Sequence, residues 1–233
     1  MTAMNTIVTP TAVHVSTDGA SYLRDGQIVW EGQKVGILAH LPAVIGVRGP
    51  SMHVPSIVAN VSANFTGFDP LVAAAARLFR AIHEQYGAAM AAQDRAHEAH
   101  EDAEFVVAGW SEERDRPEAY GVHSHGRNGL KAWTLFEIPG LSISPSDPEL
   151  IDRLDFLNLE TVLTNVEATA LRIMELQRER PFEMESGRAT VAAGAFCQLT
   201  TLTRSGVTTR ILKRWGNKTA PASALFRSDA VCS

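Results

Sequence analysis

The residues of this chain that could do chemistry are scattered, and few sit at spacings a reaction can use. His97 and His100 lie three residues apart in a polar stretch beside Glu98, Glu101 and Asp102. On a helix that spacing puts both imidazoles on one face, where they could bind a divalent metal, and His123-Ser124-His125 offers further ligands. No third ligand is fixed by spacing, so a solvated helix and a polar turn are the better reading, and neither metal nor cofactor is expected. Eight histidines allow a Ser-His-Asp triad to be imagined, but no Gly-x-Ser-x-Gly elbow supports one. Arg48-Gly49-Pro50-Ser51 and Gly126-Arg127-Asn128-Gly129 are too short and loosely spaced for a phosphate-binding loop. Taken singly, the remaining candidates are ordinary. Asp18 before Gly19 is turn chemistry, Lys34 reads as an exposed residue between strands, Thr2 as a terminal residue, and Ser186-Gly187 as a helix exit.

The elements that would position these groups follow from pattern. Residues 6 to 15 read as two short strands joined at Pro10, and Asp25-Gly26 is a hairpin signal. Residues 27 to 32, 34 to 38 and 43 to 47 read as strands. A helix with Asp69 as N-cap and Pro70 in its first turn carries Leu71, Ala75, Leu78, Phe79, Ile82 and Tyr86 at helical spacing, with a break expected near Gly87. Strands are expected over residues 105 to 110, 119 to 123 and 131 to 138. Asp147-Pro148-Glu149 opens a polar helix, and residues 159 to 178 form an amphipathic one. A last hairpin turns about Arg204-Ser205-Gly206. Strand clusters separated by helix clusters fit layered architectures, including two sheets between helical layers.

Bulk properties bound the rest. The chain has 233 residues, 45% hydrophobic and 20% charged, which suits one domain with a sizeable core. Residues 1–216 are expected to form it, with 217–233 a loose C-terminal tail. The formal net charge of −5, without a basic stripe, argues against nucleic acid as a partner. Only Cys197 and Cys232 occur, so no disulfide framework is expected. With no signal peptide and no apolar stretch of spanning length, the expectation is a cytoplasmic protein with no membrane partner.

Order and spacing carry one resemblance. Val13-His14-Val15-Ser16-Thr17-Asp18-Gly19-Ala20 is followed sixteen residues after Asp18 by Lys34, in Gln33-Lys34-Val35. Ala43-Val44-Ile45-Gly46-Val47-Arg48-Gly49 comes next, and then the helix around Ala73 to Tyr86. Residues 104–110 and 117–122 read as a central hairpin, and Glu183 and Ser186-Gly187 fall after a late helix. Across residues 5 to 215 this order resembles the proteasome β-type subunits, within the N-terminal-nucleophile (Ntn) hydrolases. The resemblance implies an α/β, four-layer αββα sandwich with two antiparallel sheets between helical layers.

It also implies a chemistry. The nucleophile is the side chain of the first residue after processing, and its own α-amine, which titrates near neutrality, is the base. Lys34 takes the role of the lysine that lowers the nucleophile's pKa, and Asp18 that of the aspartate orienting it. The Arg48-Gly49 backbone matches the oxyanion hole, with Arg48 where the family usually has glycine. Glu183 and Ser186 match an Asp and a Ser near the nucleophile. Two alignments of the start remain open. Counting back from Asp18 without gaps reaches Thr2, which removal of Met1 would expose. Matching Asn5-Thr6-Ile7-Val8 to the family's Thr-Thr-Ile-Val start puts Asn5, which is no nucleophile, at that position. The first describes a threonine-type peptidase or amidohydrolase acting on a peptide or amide substrate, and the second an inactive structural subunit. In either case the resemblance implies a homo-oligomer, a ring or a stack.

Overall fold

Alternation along the strands decides which side chains meet which layer. In the segment Ala12–Asp18, Val13 and Val15 point one way and Ala12, His14 and Ser16 the other; in Glu104–Ser111, Val106, Ala108 and Trp110 oppose Phe105 and Val107. A computed structural model describes residues 2–22, 28–38, 40–96, 102–127, 129–154, 159–179, 181–183, 189–191 and 193–216. In chain order the elements are β1 (Met4–Val8), β2 (Ala12–Asp18), β3 (Ala20–Tyr22), β4 (Ile28–Glu31), β5 (Val35–Leu38), β6 (Ala43–Arg48), α1 (His53–Asn64) and α2 (Phe68–Ala92). There follow β7 (Glu104–Ser111), β8 (Arg116–His123), β9 (Leu135–Glu137), β10 (Leu141–Ser144), α3 (Pro148–Asp152), α4 (Leu159–Thr164) and α5 (Val166–Glu179). Last come β11 (Pro181–Glu183), β12 (Ala189–Val191), β13 (Phe196–Thr203) and β14 (Gly206–Arg214).

Two five-stranded antiparallel sheets result, ordered β10-β1-β2-β13-β14 and β5-β6-β7-β8-β9. Met4, Val13, Val15 and Leu202 of the first sheet meet Val35, Val44, Val106, Ala108 and Trp110 of the second in a core between them. The outer face of the second sheet buries Ile45, Phe105 and Val107 against Ile57 and Val61 of α1 and Leu71, Ala75 and Phe79 of α2. The outer face of the first buries Ile7 and Leu199 against Val162 of α4 and Ala170 of α5. The order is helices, sheet, sheet, helices: a four-layer αββα sandwich. Phe79 and Phe105, both fully buried, stack with ring centroids 4.9 Å apart. Truncating Phe105 to alanine would cost about 3–5 kcal/mol by opening that layer.

The elements differ from the sequence expectation in instructive places. Helix α1 was not expected; Pro55 and several β-branched residues obscure it, although His53, Ile57 and Val61 are buried at a spacing of four. Helix α2 starts two residues earlier than expected, with Gly67 as N-cap. Asp69 instead turns its carboxylate to Ser111, to the backbone N–H groups of Glu112 and Glu113, and to Arg114. The helix also runs through Gly87 without a break. The strand expected over 131 to 138 is only β9, because Trp133 adopts φ 60° just before it. Residues 159 to 178 divide into α4 and α5. The expected turn at Asp25-Gly26 lies outside the described residues, although β3 and β4 pair antiparallel on either side of it. The proposed tail, 217–233, and Cys232 are also outside them.

Candidate active site

The site is assembled where β1 begins, β2 ends and β6 ends. β2 finishes at Asp18, and Gly19 then lets the chain pass flat beneath Phe196: a Cβ on Gly19 would lie 2.3 Å from that ring. The Asp18 carboxylate is fully buried and fixed from both sides. Its Oδ1 accepts from the Ala3 N–H at 3.1 Å and from Lys34 Nζ at 2.7 Å; its Oδ2 accepts from the N–H groups of Ala20 and Gly194, both at 3.1 Å. Lys34, between β4 and β5, is buried rather than exposed, and its ammonium also donates to the Ala20 carbonyl. Its third bond is to Thr2 Oγ1, at 3.1 Å. Burial holds the Lys34 pKa below its ordinary value, opposed by the attraction of Asp18 and helped by the positive charge of Arg48.

Asn5 has a different environment. It lies within β1, and its amide exchanges hydrogen bonds with Gln177 of α5 at 2.9 and 3.0 Å, while its Oδ1 accepts from the Ser144 N–H. That pairing holds the strand rather than presenting a group to a cleft.

Arg48 closes β6, and Gly49 follows at φ +138°, a region that favours glycine; a Cβ there would lie 3.1 Å from the Asp102 carbonyl. The Arg48 side chain does not fill the cleft. Its Nε donates to the Thr2 carbonyl at 3.0 Å and its Nη1 to Glu104 Oε1 at 2.6 Å. Glu104 also accepts from Arg127 Nη1 at 2.7 Å, and its Oε2 from the Ser144 hydroxyl. Burial alone would raise the Glu104 pKa, but Arg48, Ser144 and Arg127 together take it below its ordinary value. A narrow cleft of about 20 Å³ opens beside these groups, lined by Thr2, Lys34, Gly49, Ser21, Gln33 and Ser51, with Val47 and Val54 as its apolar wall. That is room for about one water.

Among solved structures, the chain superposes on the Gly-1 mutant of Anbu from Hyphomicrobium sp. strain MC1 with a TM-score of 0.61 and 11% identity, over 91% of this chain and 88% of that one. The fold is the proteasome-like Ntn fold. No protein-family model and no curated protein matches the sequence. Within this Ntn fold, Thr2 stands at the head of a strand in one sheet, and Arg48 ends a strand in the other.

Other sequence candidates fall elsewhere. Glu183 lies in β11, paired with Ala189, but its side chain is outside the described residues, and so is all of Ser186. His97 and His100 are outside them too. Among the described residues no group of three or more metal-ligating side chains occurs. His125 Nδ1 lies 3.2 Å from Asp102 Oδ1 and its ring stacks on His123. No helix among the described residues is long and apolar enough to cross a membrane. Cys197, paired with Asp18 across β13 and β2, is a buried free thiol whose pKa burial pushes up to about 12, with Asp18 and Glu175 adding to it. Sequence reasoning missed Glu104, Arg127 and Ser144. The available signal was a glutamate opening the apolar run Glu104-Phe105-Val106-Val107, because a carboxylate in a buried strand needs partners.

Proposed function

We propose that this chain is a threonine-type Ntn amidohydrolase or peptidase with Thr2 as its N-terminal nucleophile. The observation that carries the reading is the hydrogen bond from a buried, Asp18-held Lys34 ammonium to Thr2 Oγ1. Removal of the residue before Thr2 frees its α-amine. The amine takes the hydroxyl proton as Oγ1 attacks an amide carbonyl, and the oxyanion is held by the Arg48-Gly49 backbone. The amine then returns the proton to the leaving nitrogen, and an ester to Thr2 remains. Water, deprotonated by the same amine, hydrolyses that ester. Lys34 stabilises the developing alkoxide and Asp18 orients Lys34. Glu183 and Ser186 are proposed to support the amine.

The turn of Arg48 onto Glu104 supports this reading, because a bulky residue at a position where glycine is usual then leaves the cleft open. The small volume of that cleft favours a second reading, a non-catalytic subunit that retains the fold. Self-association into a ring or stack belongs to both, with exposed Met52, Trp30 and Ile151 as candidate contacts.

Intact mass and N-terminal sequencing of protein from a bacterial cytoplasm come first, followed by incubation with a β-lactone. A start at Thr2 and one acyl adduct on Thr2, absent in Thr2→Ala, are expected. Retained Met1, or an adduct indifferent to that substitution, would sink the peptidase reading in favour of the structural subunit. Light scattering on the same sample reads the subunit number.

A further inference from the structure

We propose that Glu104 is a positioning residue of this site: through Arg48 it anchors the Thr2 carbonyl and sets the positive field in which the Thr2 amine titrates. The inference rests on the reading of Thr2 as the nucleophile. Arg48, Glu104 and His123 are cross-strand neighbours on β6, β7 and β8, while Ser144, at the end of β10, is paired with Met4 in the other sheet. Glu104 therefore ties the two sheets together at the end where β1 begins. Its Oε1 accepts from Arg48 and Arg127 at 2.6 and 2.7 Å, and its Oε2 from Ser144. The residue is 3% exposed.

What Glu104 does to Arg48 is geometric. Arg48 is 22% exposed and, unpaired, would swing to water. With Nη1 fixed on Glu104, its Nε is aimed at the Thr2 carbonyl at 3.0 Å. The carbonyl belongs to the residue whose hydroxyl attacks and whose amine accepts the proton, so this tether limits rotation of both groups. A misplacement of about 1 Å at such a centre costs on the order of a hundredfold in rate.

The field has a sign that can be read. Two guanidiniums and one carboxylate leave one net positive charge beside Thr2, which disfavours a protonated amine. Asp18 from β2 holds Lys34, and His123 from β8 lies in the field of Glu104, Arg127, His125 and Arg48. Tyr22 of β3 and Cys197 of β13 lie near Asp18, and Arg178 of α5 lies near Tyr22. Burial holds His123 below its ordinary 6.5, so it is neutral above that pH, and Tyr22 and Cys197 stay protonated until well above the amine's range.

The test measures acylation of Thr2 by a β-lactone, by intact mass, from about pH 6.5 to about pH 10, in the chain trimmed to Thr2. Wild type is compared with Glu104→Gln, Glu104→Asp and Arg48→Met, each checked for folding by circular dichroism. Glu104→Gln removes a negative charge, so its acid limb moves to lower pH; Arg48→Met removes a positive one, so its limb moves to higher pH. Both plateaus fall about tenfold or more as the tether loosens. Glu104→Asp keeps the charge and shortens the arm: its limb stays and only its plateau falls. It pairs with Arg48→Met if Glu104→Gln does not fold. Limbs that move in the same direction, or plateaus within twofold of wild type, would overturn the proposal. Should wild type not react with the lactone, the enzyme reading fails on its own. The opposed shifts are then sought in the acylation of the Thr2 amine by acetic anhydride, which needs no catalysis, and their absence there overturns the positioning role.

Discussion

The hairpin of β7 and β8 carries a carboxylate gripped by two arginines at each end, and the two grips have different uses. At one end Glu104 is held by Arg48 and Arg127, 56 and 23 residues away in sequence. At the other, Glu118 is held by Arg114 and Arg116, four and two residues away, and accepts from the Tyr120 hydroxyl. Glu104 shares its strand face with the inter-sheet core and reaches the other sheet through Ser144. Glu118 pairs with Gly109 on the face turned to α2, whose Asp69 joins the same cluster through Arg114. Arg114 and Arg116 are 38% and 54% exposed, against 22% and 28% for Arg48 and Arg127. The local grip shapes a turn. The long-range grip fixes a site.

Substitutions should separate the two ends. The largest effect belongs to Thr2→Ala, which should lower lactone acylation at that position by at least about 10³-fold; an unchanged rate would remove the site from its end of the hairpin. Lys34→Met comes next. It leaves Asp18 buried without its cation, so denaturant unfolding should show a loss of about 3–5 kcal/mol, and adding Asp18→Asn should recover part of it. At the turn end Arg114→Met should cost less by the same measurement, because Arg116 still reaches the buried Glu118 and the lost guanidinium is itself more than a third exposed.

Glu118→Gln should leave the acylation rate within about twofold of wild type. Its signature is pH dependence. Burial alone would raise the Glu118 pKa, but hydrogen bonds from Arg114, Arg116 and Tyr120 bring it from 4.5 to about 2. The folded carboxyl is the stronger acid, so its stabilisation is present above pH 4.5 and disappears as pH falls towards about 2. Melting temperatures of Glu118→Gln should be lower than wild type at neutral pH and converge with it over that window; parallel curves would refute the assignment. The smallest effect is expected at Asp115, at φ 49° in the hairpin turn. Asp115→Gly should raise stability by about 0.5 kcal/mol and leave the site untouched.

The same contrast explains what could be read from the chain. Asp18 and Lys34 were legible because each sits at the end of a recognisable strand and sixteen residues separate them. The two alignments of the start were not separable by sequence, since one counts back from Asp18 to Thr2 and the other matches Asn5-Thr6-Ile7-Val8, and neither reports which side chain meets Lys34. Asn5 meets Gln177 across 172 residues, and no spacing rule reports that. Helix α1 was hidden by Pro55, which a first turn tolerates, and β10 by its brevity in Leu141-Ser142-Ile143-Ser144. The partners of Glu118 were within reach of a sequence reading, because they are near neighbours in the chain. The Glu104 cluster was not, because its partners arrive from β6, the loop after β8 and the opposite sheet.

Cys197 gives the site a chemical selectivity of its own. With its thiol pushed up to about 12, only on the order of one molecule in 10⁵ carries a thiolate at neutral pH. Sulfur is ordinarily the softer target for an acylating or alkylating reagent, yet here it is buried, protonated and silent beside Asp18. An electrophile entering the cleft therefore meets oxygen and nitrogen first. Reagents that mark thiols elsewhere in a proteome should pass this core by.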